Sequence, residues 1–172
     1  MAQQQIQPWQ YWASLGFGAF TAVGGVALIL FGIYFIREAL ASKSWPVANG
    51  EIQAVQVIRD VDRDGGKTIV RHYIRINYDY EVEGISYTGD RYSLGDGSTA
   101  SKRFKERSEA IAEKNKYPLG SEIDVYYKPT EPSFAILKPG TNFGTFVPIV
   151  LGVLFLPSGI ALFVFMLKYP PQ

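Results

Sequence analysis

The sequence predicts an α+β membrane protein in which two transmembrane helices flank a small β-rich domain. Three observations predict it. Charge is segregated: of 17 Lys+Arg and 16 Asp+Glu in 172 residues, all but Lys168 lie between Arg37 and Lys138. Two uncharged apolar blocks, residues 15–36 and 143–167, bracket that charged middle. The middle in turn alternates apolar and polar residues with a period of two, the pattern of a strand with one buried face.

The first block, Leu15 to Ile36, follows an uncharged tail over residues 1–14 and holds 22 residues. As a helix it spans about 33 Å, enough for a hydrocarbon core of about 30 Å. Trp9, Trp12 and Tyr34 sit near its ends, where amphipathic aromatics favour the membrane interface. A cleavable signal peptide is disfavoured, because no Lys or Arg precedes the block and its length exceeds the usual 7–15 residues. The second block, Phe143 to Leu167, is closed by Lys168 and Tyr169, leaving a short tail over residues 168–172. About 100 residues between the blocks are too few to bury two such helices on all sides.

Small residues recur within both blocks. Ser14, Gly18, Thr21, Gly25 and Gly32 follow a 4-3-4-7 spacing, and Gly144 and Gly152 continue an i, i+4 row around Pro148. Small side chains let helix backbones approach in lipid, so these positions are expected to form a helix–helix packing seam. Pro148 and Pro157 are expected to bend or loosen the second helix.

The β-rich domain is expected over residues 44–140. Glu51 to Arg59 reads as a first strand and Asp60 to Lys67 as a turn. Thr68 to Val82 is the clearest strand, with His72, Ile74, Ile76, Tyr78, Tyr80 and Val82 on its inner face. Glu83-Gly84 turns the chain into a third strand, Ile85 to Leu94. A Gly- and Ser-rich loop then leads to a helix over Lys102 to Lys116, with Phe104 and Ile111 on one face. Ser121 to Lys128 and Phe134 to Leu137 close the order as strands. Three strands, a helix and two strands suit a small five-stranded barrel of oligonucleotide/oligosaccharide-binding type. A five-stranded open sheet with a covering helix has the same order, and order alone does not separate them.

Chemistry-bearing patterns are few. The chain has no Cys, which excludes disulfides, Cys-based metal sites and a Cys nucleophile. Asp60, Asp62, Asp64 and Gly65 match the first half of a calcium loop, a candidate metal site of three carboxylates. Arg71 stands where that loop needs its bidentate Glu, and the same residues suit a solvated hairpin tip. Lys102-Arg103-Phe104-Lys105-Glu106-Arg107 is a basic run followed at once by Glu109 and Glu113. From Arg37 to Gly140 basic and acidic residues balance at 16 each, which argues against a nucleic-acid partner. His72 is the only His, no nucleophile motif accompanies it, and no catalytic residue is assigned. Asp79, Glu81 and Glu83 share one wet strand face, so they lack the contrasting environments of an acid–base pair.

Several segments carry a resemblance. They are Ser44-Trp45-Pro46 with Gly50-Glu51-Ile52, then Tyr78-Asp79-Tyr80-Glu81-Val82-Glu83-Gly84 with Tyr87-Thr88-Gly89-Asp90. Next comes Tyr117-Pro118-Leu119-Gly120-Ser121 running into Val125-Tyr126-Tyr127-Lys128-Pro129, Glu131-Pro132 and Leu137-Lys138-Pro139-Gly140. Together they resemble the bacterial membrane protein family catalogued as domain of unknown function 3592. Lys128 replaces the family's usual Asn. The resemblance covers roughly Trp45 to Gly140 with its flanking helices. It implies a fold and a membrane setting, and it brings no reaction, cofactor or catalytic residue.

The functional expectation is a multi-pass protein of the cell (inner) membrane. Its β-domain serves as a non-enzymatic interaction or assembly module, whose partners are the lipid bilayer and another membrane protein or a second copy. A ligand- or Ca2+-sensing membrane domain is the alternative, and an enzyme with an unrecognised site is the third reading. Arg37, Lys43, Lys128 and Lys138 outnumber Lys168 near the membrane ends, a lean toward a cytoplasmic domain. A loop of about 100 residues escapes that rule, so the side of the membrane stays open.

Overall fold

The computed structural model describes residues 7–99 and 102–170, with the Asp64 side chain left out. These fold as two compact units: residues up to Ile36 with those from Phe146 onward, and Arg37–Thr145. Each is described by itself.

The first unit is built from α1 (Pro8–Ala41) and α3 (Phe143–Lys168). Both are apolar around their whole circumference, with no polar stripe to mark a water-facing side. Both are long and apolar enough to cross a membrane. α3 stays helical through Pro148 and Pro157. The helices meet antiparallel along glycines: Gly18, Gly25 and Gly32 of α1 face Phe163, Leu156 and Ile149 of α3. The matched seven-residue steps keep one face of each helix on the seam over four turns.

The second unit is a five-stranded antiparallel sheet ordered β3-β2-β1-β4-β5. Its strands are β1 (Val47–Asp64), β2 (Lys67–Val82), β3 (Ile85–Gly89), β4 (Glu122–Lys128) and β5 (Glu131–Ile136). Two hairpin turns set the register. Gly65 and Gly66 have φ of 55° and 81°, and Glu83 and Gly84 have 53° and 79°. Such paired positive φ values match the right-handed twist of the strands they join. A bulge at Gln53, between the Ile52 and Ala54 pairings, shifts β1 against β2. The alternation predicted for β2 is real: His72, Ile74, Ile76, Tyr78, Tyr80 and Val82 are all buried. All of them but His72 pack with Ile52, Val55, Val125 and Ala135 into one core.

Four expectations need correction. The sheet is open, not a closed barrel, because no hydrogen-bonded ladder joins β3 to β5. Side chains of β2 reach across to β5, with the Tyr78 hydroxyl 3.1 Å from the Ala135 carbonyl oxygen and the Tyr80 hydroxyl donating to the Pro132 carbonyl at 2.6 Å, and beyond the strand ends the Leu137 and Lys138 N–H groups donate to the Tyr92 carbonyl. Residues 60–64 are strand rather than turn, since a two-glycine turn needs no longer loop. The third strand ends at Gly89 instead of Leu94. The helix α2 spans only Arg107–Lys114, and Phe104 belongs to an extended segment paired with His72. Phe104 and Ile111 therefore do not share a helix face, and Ala110 is the helix residue that is fully buried. α2 packs against β1 and β2 as the covering helix.

Candidate functional site

The wet face of the sheet carries an acidic groove of about 500 Å³. Strand register creates it. Glu51 on β1 lies opposite Asp79 on β2 and opposite Glu122 on β4, so three carboxylates form one cross-strand row. Like charges directly opposite one another destabilise a sheet. Glu81 and Asn49 add to the lining, which contains no Lys or Arg. Thr88 Oγ1 donates to Asp79 Oδ1 at 2.7 Å and holds that carboxylate in place. Gly50 sits beneath the row, where a Cβ would lie 2.5 Å from Val125 Cγ2 and 3.0 Å from the Asp79 carbonyl oxygen. Only glycine allows the three strands to close so tightly there. The groove can accept hydrogen-bond donors and positive charge. Among the described residues, no three His, Asp or Glu side chains converge as metal ligands would.

Sequence reading found Asp79 and Glu81 as solvated strand positions but missed Glu51 and Glu122 as their neighbours. Residues 51, 79 and 122 become adjacent only through pairing register.

The candidate metal site lies at the far end of the β1–β2 hairpin. Asp60 and Asp62 are alternate residues of β1, about 7 Å apart along a strand. The Asp60 carboxylate pairs with Arg103 at 3.3 Å. The Asp64 side chain lies outside the described residues. Of the basic run, Arg103 also covers the Tyr73 ring at 5.4 Å and Lys102 covers Phe104 at 4.8 Å. His72 is buried, and its Nδ1 has no hydrogen-bond partner among the described residues.

Most of the small-residue row lies on the helix seam. A Cβ on Gly25 would lie 2.5 Å from the Leu156 backbone nitrogen, and one on Gly32 would lie 2.8 Å from that of Ile149. Gly152 faces Gly25 and Ile29. Gly159, which the sequence reading omitted, faces Ala22 and Gly18. Ser14 is half-buried, and Thr21 satisfies its hydroxyl within its own helix on the Phe17 carbonyl at 2.8 Å. Gly144 is not on this seam, because it lies against Gly95. Trp9, Trp12, Tyr34 and Tyr169, the aromatics expected at a membrane interface, are all exposed.

A partly buried polar knot ends the β-domain. Asn142 Nδ2 donates to Ser93 Oγ at 2.8 Å, the Leu94 carbonyl at 2.7 Å and Asp96 Oδ2 at 2.7 Å. Ser93 also donates to Asp96. Beside the core, burial pushes the Tyr80 hydroxyl up to about 12. Burial, with a hydrogen bond to Tyr117, takes Tyr92 to about 12 as well. Burial raises Tyr78 further still, with the Tyr80 hydroxyl as a secondary cause. All three are structural hydroxyls, held neutral.

A family model described as Domain of unknown function (DUF3592) matches residues 48–142, the stretch that holds almost all of the sheet, α2 and Asn142. No curated protein matches the chain. With its family model covering more than half of the sequence, the chain belongs to the family of proteins with the domain of unknown function 3592.

Proposed function

We propose that this chain is an integral, two-pass protein of the cell's inner membrane that presents its β-domain beside the bilayer as a non-enzymatic interaction or assembly module. The observation that carries the reading is the outer surface of the helix pair. Phe17, Phe20, Leu30, Phe31, Val153 and Leu154 point away from the glycine seam and remain exposed. Each large apolar side chain left in water forgoes about 1.5–3 kcal/mol, and lipid is the medium that covers such a surface without further protein.

The module reading rests on the groove. A sheet that keeps Glu51 between Asp79 and Glu122 sacrifices stability, and a partner bearing positive charge or N–H donors would recover it. Membrane fractions washed with alkaline carbonate should retain the chain, and its release would remove the membrane reading. A lone Cys placed at exposed Ser86 reports which side the domain occupies, because the native chain has no Cys. Pull-downs with wild-type chain and with Glu51→Gln/Glu122→Gln should differ in what is recovered. Equal recovery would remove the groove from the interaction.

A further inference from the structure

We propose that Lys43 and Lys138, with the small hollow lined by residues 138–142 and Ser93, form a seat for the phosphate of an anionic phospholipid headgroup. This rests on the membrane reading above. The chain segments that meet here are pinned together. Ser42 Oγ donates to the Ala39 carbonyl at 2.7 Å and accepts the Gly140 N–H at 2.9 Å. Lys43, the next residue, lies across Gly140, with its Cε 3.0 Å from where a Cβ would stand. Gly140 has φ 103°, so this close crossing and this backbone both require glycine. The hollow holds about 60 Å³ and is lined by Ser93, Lys138, Pro139, Gly140, Thr141 and Asn142. That is about two water volumes, the scale of one small anionic group and far below that of a peptide.

Basic side chains at this place are not held in ion pairs. Lys43, Lys138 and Arg37 are exposed and have no ion pair among the described residues. Of the carboxylates nearby, Glu38 is engaged with Lys128, and Asp96 with Asn142 and Ser93, while Glu122 and Asp124 line a separate hollow with Lys138 and leave Lys43 without a carboxylate beside it among those ion pairs. Lys43 follows α1 by two residues and Lys138 precedes α3 by five, which puts both at headgroup depth if those helices span the bilayer. The start of α3 is satisfied by Asn142 and Thr145, so the lysines supply the attraction. A basic group near anionic lipid contributes on the order of 1 kcal/mol, or about five-fold in affinity.

The test is native mass spectrometry of the full chain in neutral detergent, titrated with phosphatidylglycerol or with phosphatidylcholine of the same acyl chains. Wild type should bind phosphatidylglycerol at least about ten-fold more tightly. Lys43→Gln/Lys138→Gln should bring the two lipids to within about two-fold, while Lys105→Gln should keep the wild-type preference. Equal binding of both lipids by wild type overturns the proposal, whatever the variants do. Displacement of phosphatidylglycerol by millimolar inorganic phosphate also overturns it, because the site would then be one for free phosphate. Carbonate extraction separates the two failures. A chain that resists extraction yet shows no lipid preference loses only this proposal, and an extracted chain loses both.

Discussion

Asn142 and Thr145 exchange hydrogen bonds at the start of α3. Asn142 Oδ1 accepts the Thr145 backbone N–H at 3.1 Å, and Thr145 Oγ1 accepts the Asn142 backbone N–H at 3.0 Å. This is a reciprocal cap of the kind that satisfies otherwise orphaned donors of a first turn. The Asn142 amide nitrogen is then free to reach Ser93, Leu94 and Asp96, so one side chain caps a helix and fastens the loop after β3.

Asn142→Ala should therefore cost more than an ordinary cap. Losing the cap and leaving the Leu94 carbonyl short of a donor predicts about 2 kcal/mol or more. Asn142→Asp keeps the acceptor but loses the Nδ2 donors and faces Asp96, so it should also destabilise. Chemical denaturation followed by tyrosine fluorescence measures both. A loss below about 0.5 kcal/mol for Asn142→Ala would falsify the double role.

The helix seam predicts a sharp contrast between adjacent glycines. A Cβ on Gly25 meets the Leu156 backbone, whereas one on Gly24 meets nothing within 4 Å. Gly25→Leu should destabilise the helix pair by about 3 kcal/mol or separate it. Gly24→Leu should stay within about 0.5 kcal/mol of wild type. Thermal melting in detergent ranks the two, and equal effects would mean that the helices do not pack through Gly25.

Tyr78 closes the gap between the sheet edges with its hydroxyl, which lies 3.0 Å from the Arg91 carbonyl oxygen and 3.1 Å from that of Ala135. Tyr78→Phe keeps the ring in the core and removes only the oxygen. The expected loss is about 1–2 kcal/mol. An unchanged urea midpoint would show that the edges are held by the backbone bonds of Leu137 and Lys138 to Tyr92 alone.

Alkaline pH should unfold the domain through the same tyrosines. Tyr80 and Tyr92 ionise near 12 in the fold, against an ordinary value of 10.0. Between those values the unfolded chain has released protons that the folded chain still binds, so stability falls as pH rises from about 10 to 12. Below 10 this contribution is fully present. Melting temperatures across that window should decline, and Tyr92→Phe should flatten the decline. A flat wild-type profile contradicts the burial of these hydroxyls.

Glu51→Gln should stabilise the isolated protein. The substitution removes the charge between Asp79 and Glu122 while keeping the side-chain length, for a gain of about 0.3–1 kcal/mol that shrinks with added salt. A destabilised Glu51→Gln would mean that the row is not repulsive, and the case for a donor-bearing partner would weaken with it.

Much of the architecture was legible without coordinates. The two apolar helices follow from uncharged runs longer than 20 residues, since a long apolar run is written in composition alone. The inner face of β2 follows from strict alternation. Gly18, Gly25 and Gly32 were readable as one face because helical period converts spacing into direction. What sequence by itself did not determine was everything set by pairing between distant segments. The same order of strands serves a closed barrel and an open sheet, and only the tertiary structure shows β3 and β5 left unpaired. Phe104 has helical spacing to Ile111, yet a bridge to His72 outweighs that local pattern. The acidic row exists because register sets residues 51, 79 and 122 side by side, and the lysine seat exists because Ser42 meets Gly140. Contacts between residues 28, 71 or 98 positions apart have no local signature, so those surfaces were settled by the tertiary fold.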